Sequence, residues 1–424
     1  VLTNNINLTN YNYVVPTNDF NGSLNGLFEY QLDDVDYSIQ SNLIGLTINV
    51  NENDILNNNA NIGLFKALTI NAIIKNLNLV DCVININKTY SQKLESLNVG
   101  LIAGTNAGVI QNSRVTGKIN VKAFANELNI GGFVGQNNGE ISGLPSINSG
   151  LGNSDINSIV SINVKRILSV TNENDELNEV TNYANIGSIV GFNNGKYRNN
   201  NLSDVADLLN LKSLSTISVE ALDYNLELVE ETIEETYALN NQTLLINVGG
   251  VVGYATNSKI KDIVSRVNNI TAINMIGGVL GRANNSVLSN NVVQFVNSGK
   301  VGIGATNIVG YSNLGALIGI STDDTVIEYS YARSFYNKLI TDIDNVLYFG
   351  NISSLSKGDG SDVAKINVGG LVGSVENGSD KTLTIKNSYS TIDINVSSNV
   401  LSSSTDKTKF SVGALVGYVN GGTV

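Results

Sequence analysis

The chain has 424 residues, 42% of them hydrophobic and 6% aromatic, enough for a long core, and no run approaches the roughly 18 apolar residues of a membrane-spanning helix. A net charge of −12 argues against nucleic acid or an anionic membrane surface as partner, since both need a cationic footprint. The complete absence of histidine removes Ser/His and Cys/His nucleophile pairs and the HExxH zinc site, and the single cysteine, Cys82, has no partner for an internal disulfide. Leu79, Val83 and Ile84 around Cys82 predict a buried small hydrophobe. Two prolines against 41 glycines describe one continuously structured body rather than domains on linkers.

Taken in chain order, residues 1–60 read as N-terminal capping rungs, with Asp33, Asp34 and Asp36 in an acidic loop. A glycine box then begins at Ala60-Asn61-Ile62-Gly63-Leu64-Phe65 and returns as Asn98-Val99-Gly100, Asn129-Ile130-Gly131-Gly132, Asn247-Val248-Gly249-Gly250 and Asn367-Val368-Gly369-Gly370. Its leading glycines are Gly63, Gly100, Gly131, Gly187, Gly249, Gly277, Gly315, Gly369 and Gly413. About ten to twelve residues later comes a second box, an aliphatic residue followed by Asn or Asp and an alternating run. Ile110-Gln111-Asn112-Ser113-Arg114-Val115 and Ile260-Lys261-Asp262-Ile263 are examples. In that run Ser113, Val115, Gly117, Ile119 and Val121 alternate with Arg114, Thr116, Lys118 and Asn120, which predicts a strand with one buried face. Glycine within a strand implies that nothing larger fits or that the backbone turns there.

Boxes therefore span 61–198 and 247–424, separated by an acidic insertion at 199–246. Within it, the N-cap signal of Ser203-Asp204-Val205-Ala206-Asp207-Leu208-Leu209 and the glutamates of 226–239 (Glu227, Glu230, Glu231, Glu234, Glu235) predict one or two short helices on a solvated excursion, or a protruding contact surface. A smaller acidic stretch at 172–176 reads as a loop. Gly358-Asp359-Gly360-Ser361-Asp362 offers clustered oxygens to calcium without an EF-hand ligand series, and no other cofactor is expected. Asp323-Asp324 is the most suggestive carboxylate pair for glycoside chemistry, although it occupies a turn position of the repeat. Tyr329, Tyr331 and Tyr389 are candidates for an exposed sugar- or protein-binding strip. The chain opens on Val1 with no leader, as after removal of a signal peptide, and closes in mid-repeat. Either the natural chain continues or a neighbouring subunit completes that rung.

Two topologies fit the repeat: antiparallel hairpins in a meander, or passes that each climb one strand spacing into an elongated parallel β-solenoid. The solenoid is preferred, because like residues then stack on themselves and insertions loop outward.

Asn-Val-Gly-Gly-Leu-Val-Gly at 367–373 followed by Ile385-Lys386-Asn387-Ser388-Tyr389-Ser390 resembles the GLUG-motif repeat of bacterial surface proteins. The resemblance extends to Asn61-Ile62-Gly63-Leu64-Phe65 with Ile74-Lys75-Asn76-Leu77, and departs at Lys66, where glycine is usual, and in poor second boxes after Gly187 and Gly413. It implies a secreted or wall-attached region of adhesins or of accessory parts of surface proteases, and it carries no catalytic residue. The sequence thus predicts a non-catalytic, extracellular bacterial cell-surface adhesin, stalk or filament-like assembly subunit. Its expected partners are a host or cell-surface protein or glycan, or itself, end to end. The competing expectation is a polysaccharide lyase or hydrolase using Asp or Glu on the solenoid wall.

Overall fold

A computed structural model describes residues 1–51, 58–88, 93–143, 156–171, 177–195, 207–227, 232–237, 246–295, 308–334, 351–354, 365–396 and 409–424, apart from Asn10, Asn12, Asp33 and Tyr311. All regular structure among them is β. It forms three parallel sheets of nine strands, a sixteen-stranded sheet that is parallel apart from two antiparallel additions, and one two-stranded hairpin.

The chain visits the four large sheets in a fixed order. Leu94–Gly100 lies in the first sheet, Ala103–Asn106 in the second, Val109–Gln111 in the third and Arg114–Ala123 in the fourth. Ala125–Gly131 then pairs in parallel with Leu94–Gly100, so one pass lies a strand spacing, about 4.8 Å, from the next. Parallel pairing throughout the first three sheets excludes the antiparallel meander.

Register converts the period-two pattern into columns of like side chains. In the fourth sheet Ile48, Ile84, Ile119, Ile162, Ile217, Ile270, Ile308, Ile352 and Ile394 are successive register partners. The first eight are buried, each contributing on the order of 1.5–3 kcal/mol by leaving water. Leu24, Ile74, Ile110, Ile141, Leu208, Ile260, Leu288, Ile327 and Ile385 form the equivalent column in the third sheet. One continuous core runs from Leu43 to Leu383.

The glycine boxes are explained by crowding. Gly131, Gly249 and Gly369 occupy equivalent register positions, and a Cβ there would lie 2.1, 1.9 and 1.8 Å from the carbonyl oxygens of Val134, Val252 and Val372. The glycine four residues on packs against the first-sheet strand of the preceding pass: a Cβ on Gly104 would meet Asn61 Cβ at 2.6 Å, and one on Gly253 would meet Ile186 N at 2.3 Å. In the first pass, which is one residue shorter here, Lys66 is the register equivalent of Gly104. No described first-sheet strand precedes Asn59–Ile62, so the lysine meets no such wall, and its Nζ reaches Asp19 at 3.5 Å.

The Asn or Asp of the second box has a different cause. Asn76, Asn112, Asn210, Asp262, Asn290 and Asn387 all have φ between 48° and 59°, at the corner from third to fourth sheet. Short polar side chains tolerate this left-handed geometry better than others. Tyr329 takes the same corner with φ 49°, the one bulky residue to do so among the described corners.

Among the described residues the predicted helices are not formed; residues 203–206, 228–231, 238 and 239 lie outside them. Leu208–Leu209 is a third-sheet strand, and Lys212–Glu227 is a long fourth-sheet strand that pairs antiparallel with Thr232–Tyr237, from Leu222↔Tyr237 to Glu227↔Thr232. The reason is templating: Ser158–Thr171 pairs with the incoming strand in parallel as far as Asn225, and tertiary pairing overrides the helix propensity of the glutamates. The second box after Gly187 is therefore present as Leu208-Leu209-Asn210-Leu211, displaced by residues 196–206.

Candidate interaction surfaces

Asp323 and Asp324 sit in the turn from second to third sheet. Asp323 has φ 58° and accepts a hydrogen bond from Asn284 Nδ2 at 2.5 Å. Asp324 accepts from Thr382 N–H at 2.9 Å and from Lys381 Nζ at 3.1 Å. The Thr382 bond above all, with Lys381 beside it, holds the Asp324 carboxyl below its ordinary range. Both acids are thus engaged in fixing the turn to neighbouring passes. The calcium candidate at 358–362 and the acidic stretch at 172–176 lie outside the described residues, as do Glu230 and Glu231.

Of the candidate tyrosines, Tyr331 and Tyr389 are register partners whose rings stack at 5.0 Å and 3°, with Arg333 over the Tyr331 ring at 5.4 Å. Tyr329 stands apart from that column, exposed at its corner. A second aromatic column lies on the second sheet. Phe192, Tyr254 and Arg282 are successive register partners, with Phe192 and Tyr254 stacked at 5.2 Å. The Arg282 guanidinium lies 5.0 and 5.2 Å from the rings of Tyr183 and Tyr254. Burial pushes the Tyr254 hydroxyl up in pKa against the pull of Arg282.

Two buried groups complete the chemistry. Cys82 is fully buried, as its neighbours predict, and burial pushes its thiol up to about 11. Arg166 is buried beside a satellite cluster of Phe124, Ile167, Val170 and Leu222. It donates to the carbonyls of Asn126, at 3.2 Å, and Asn182, and burial pulls its guanidinium down to about 9. Sequence reading passed over Arg166 although the signal existed: Ile162, Val164 and Arg166 share the parity of the buried face.

The two ends of the stack differ. At one, Leu2, Leu8, Tyr13, Val15, Phe20 and Leu24 pack against the core, and Tyr13 Oη donates to the Leu64 carbonyl. At the other, Phe410, Val412, Leu415 and Val419 are 41–52% exposed. Their equivalents one pass earlier, Ile366, Val368, Leu371 and Val375, are 0% exposed.

The hairpin pairs Leu27–Leu32 with Val35–Gln40, so of the expected acidic loop Asp34 lies in the turn, Asp36 lies in a strand and Asp33 is outside the described residues. Asp34 makes its turn with φ 59°, and Asp36 lies within a strand. The period-two alternation of both strands drives the pairing.

Comparison with known protein families, curated proteins and solved structures returns no match.

Proposed function

We propose that the four-sheet passes close into a parallel β-solenoid of GLUG-like repeats, and that the protein serves outside a bacterial cell as a non-catalytic adhesin, stalk or assembly subunit. The observation that carries this reading is the repetition of one in-register frame, in which the Ile84, Ile119, Ile162 and Ile217 column and the Ile74, Ile110 and Ile141 column run on from pass to pass. A stack of this kind gains length with each added pass, as a stalk or adhesive fibre requires. The engagement of Asp323 and Asp324 in turn hydrogen bonds supports a scaffold role for the wall that carries them.

Electron microscopy and incubation with a panel of acidic and neutral polysaccharides test the reading. It predicts rod-shaped particles and no release of reducing ends or unsaturated products. Compact globular particles, or polysaccharide cleavage that is lost on replacing Asp323 or Asp324, contradict it.

A further inference from the structure

The hairpin of residues 27–40 presents an unpartnered face. Phe28↔Ile39, Tyr30↔Tyr37 and Leu32↔Val35 are opposed pairs, so by strand alternation all six side chains lie on one side. Phe28, Tyr30 and Tyr37 form a ring stack with centroid spacings of 5.7 and 5.3 Å. Tyr30, Leu32, Val35, Tyr37 and Ile39 are 39–56% exposed. Glu29, Gln31, Asp36 and Ser38 occupy the other side, and together with Tyr30 and Tyr37 they line an open cleft of about 550 Å³. A two-stranded hairpin is marginally stable alone in water, and a contiguous apolar face of this kind marks an interaction site.

We infer that this hairpin docks, as an added edge strand, a cationic amphipathic β-segment of another protein, its apolar side chains continuing the Tyr30/Tyr37 face and its Lys or Arg residues on the side of Glu29 and Asp36. Charge decides the occupant. Residues 27–40 hold Glu29, Asp33, Asp34 and Asp36 and no Lys or Arg, and the whole chain carries −12. A second copy would set like acidic rims against each other, and an anionic lipid surface would be repelled. An alternating apolar and basic strand fills the face and neutralises the rim together. The inference rests on the hairpin alone and is independent of the proposed function.

The test titrates the full chain with a fluorescently labelled peptide of four Leu-Lys repeats, and with a Leu-Glu counterpart, read by anisotropy. Leu32→Ser with Tyr37→Ser changes the face at constant charge, and Asp34→Asn with Asp36→Asn changes the rim at constant shape. Thermal melts of both variants establish that the stacked sheets remain folded. The expected result is saturable binding of the Leu-Lys peptide alone, weakened at least tenfold by the face variant and severalfold by the rim variant. Equal binding of both peptides, binding of Leu-Lys unaffected by the face variant, no binding at all, or a dimer that the face variant dissociates overturns the proposal.

Discussion

Asn247 Oδ1 is buried without a hydrogen-bond partner because Met275 occupies the place where an asparagine would donate to it. Asn61, Asn98, Asn129, Asn185 and Asn247 form an amide ladder in which each Nδ2 donates to the Oδ1 of the pass before, at 2.7–2.8 Å. Val248 pairs with Ile276, so the next step falls on Met275, which also adopts φ 50°. The ladder restarts with Asn274, Asn313 and Asn367.

Met275→Asn is therefore expected to join the two ladders. The new amide satisfies a buried acceptor and suits the left-handed backbone better, and these gains outweigh the lost burial of the thioether, which is 7% exposed and outside the continuous core cluster. A gain of about 1 kcal/mol follows, visible as a rise of a few degrees in the melting midpoint. A fall in the midpoint would mean that the thioether packing outweighs the orphaned carbonyl.

Crowding between passes predicts a contrast at equivalent positions. A methyl group on Gly253 would enter backbone at 2.3–2.7 Å, so Gly253→Ala should destabilise by about 3 kcal/mol, because no rotamer relieves the clash. Lys66→Ala, at the same place in the first pass, should change stability by less than about 0.5 kcal/mol, since it removes only an exposed ion pair with Asp19 and an exposed hydrogen bond to the Thr17 carbonyl. Urea denaturation of both variants separates steric selection of glycine from a general preference for it.

Cys82 gives a signed pH dependence. Its thiol titrates near 11 in the folded chain and lower when unfolded, so between these values the native state binds more protons and stability falls as pH rises. The slope is about 1.4 kcal/mol per pH unit for one proton. Comparison with Cys82→Ala cancels other titrating groups: the margin by which the wild type exceeds the variant at pH 8 should shrink between about pH 9 and 11. A margin independent of pH would contradict burial of the thiol.

How much of this could be read in advance depended on repetition. The leading glycines, the alternation through Val115, Ile119 and Val121, and the corner asparagines recur on most passes, so each copy confirms the others. What occurs once was misread. Phe28, Tyr30 and Leu32 alternate as plainly as any strand, yet the acids around Asp34 suggested a loop. The glutamates of 226–239 favoured helix because a sequence window contains no trace of the parallel strand, 55 residues earlier at Asn157 against Lys212, that templates Lys212–Asn225, onto which Glu234 and Glu235 then pair. Met275 interrupts a ladder that becomes visible only once the passes are aligned.

In-register stacking of successive passes is tested most directly by engineered disulfides in a Cys82→Ala background. Lys118, Ser161 and Thr216 are consecutive register partners on the fourth sheet. Lys118→Cys with Ser161→Cys places the two Cα atoms about one strand spacing apart and should oxidise readily without loss of stability, whereas Lys118→Cys with Thr216→Cys spans about two spacings and should remain reduced. Cross-linking of the second pair, or failure of the first in a folded protein, would contradict the stacked architecture.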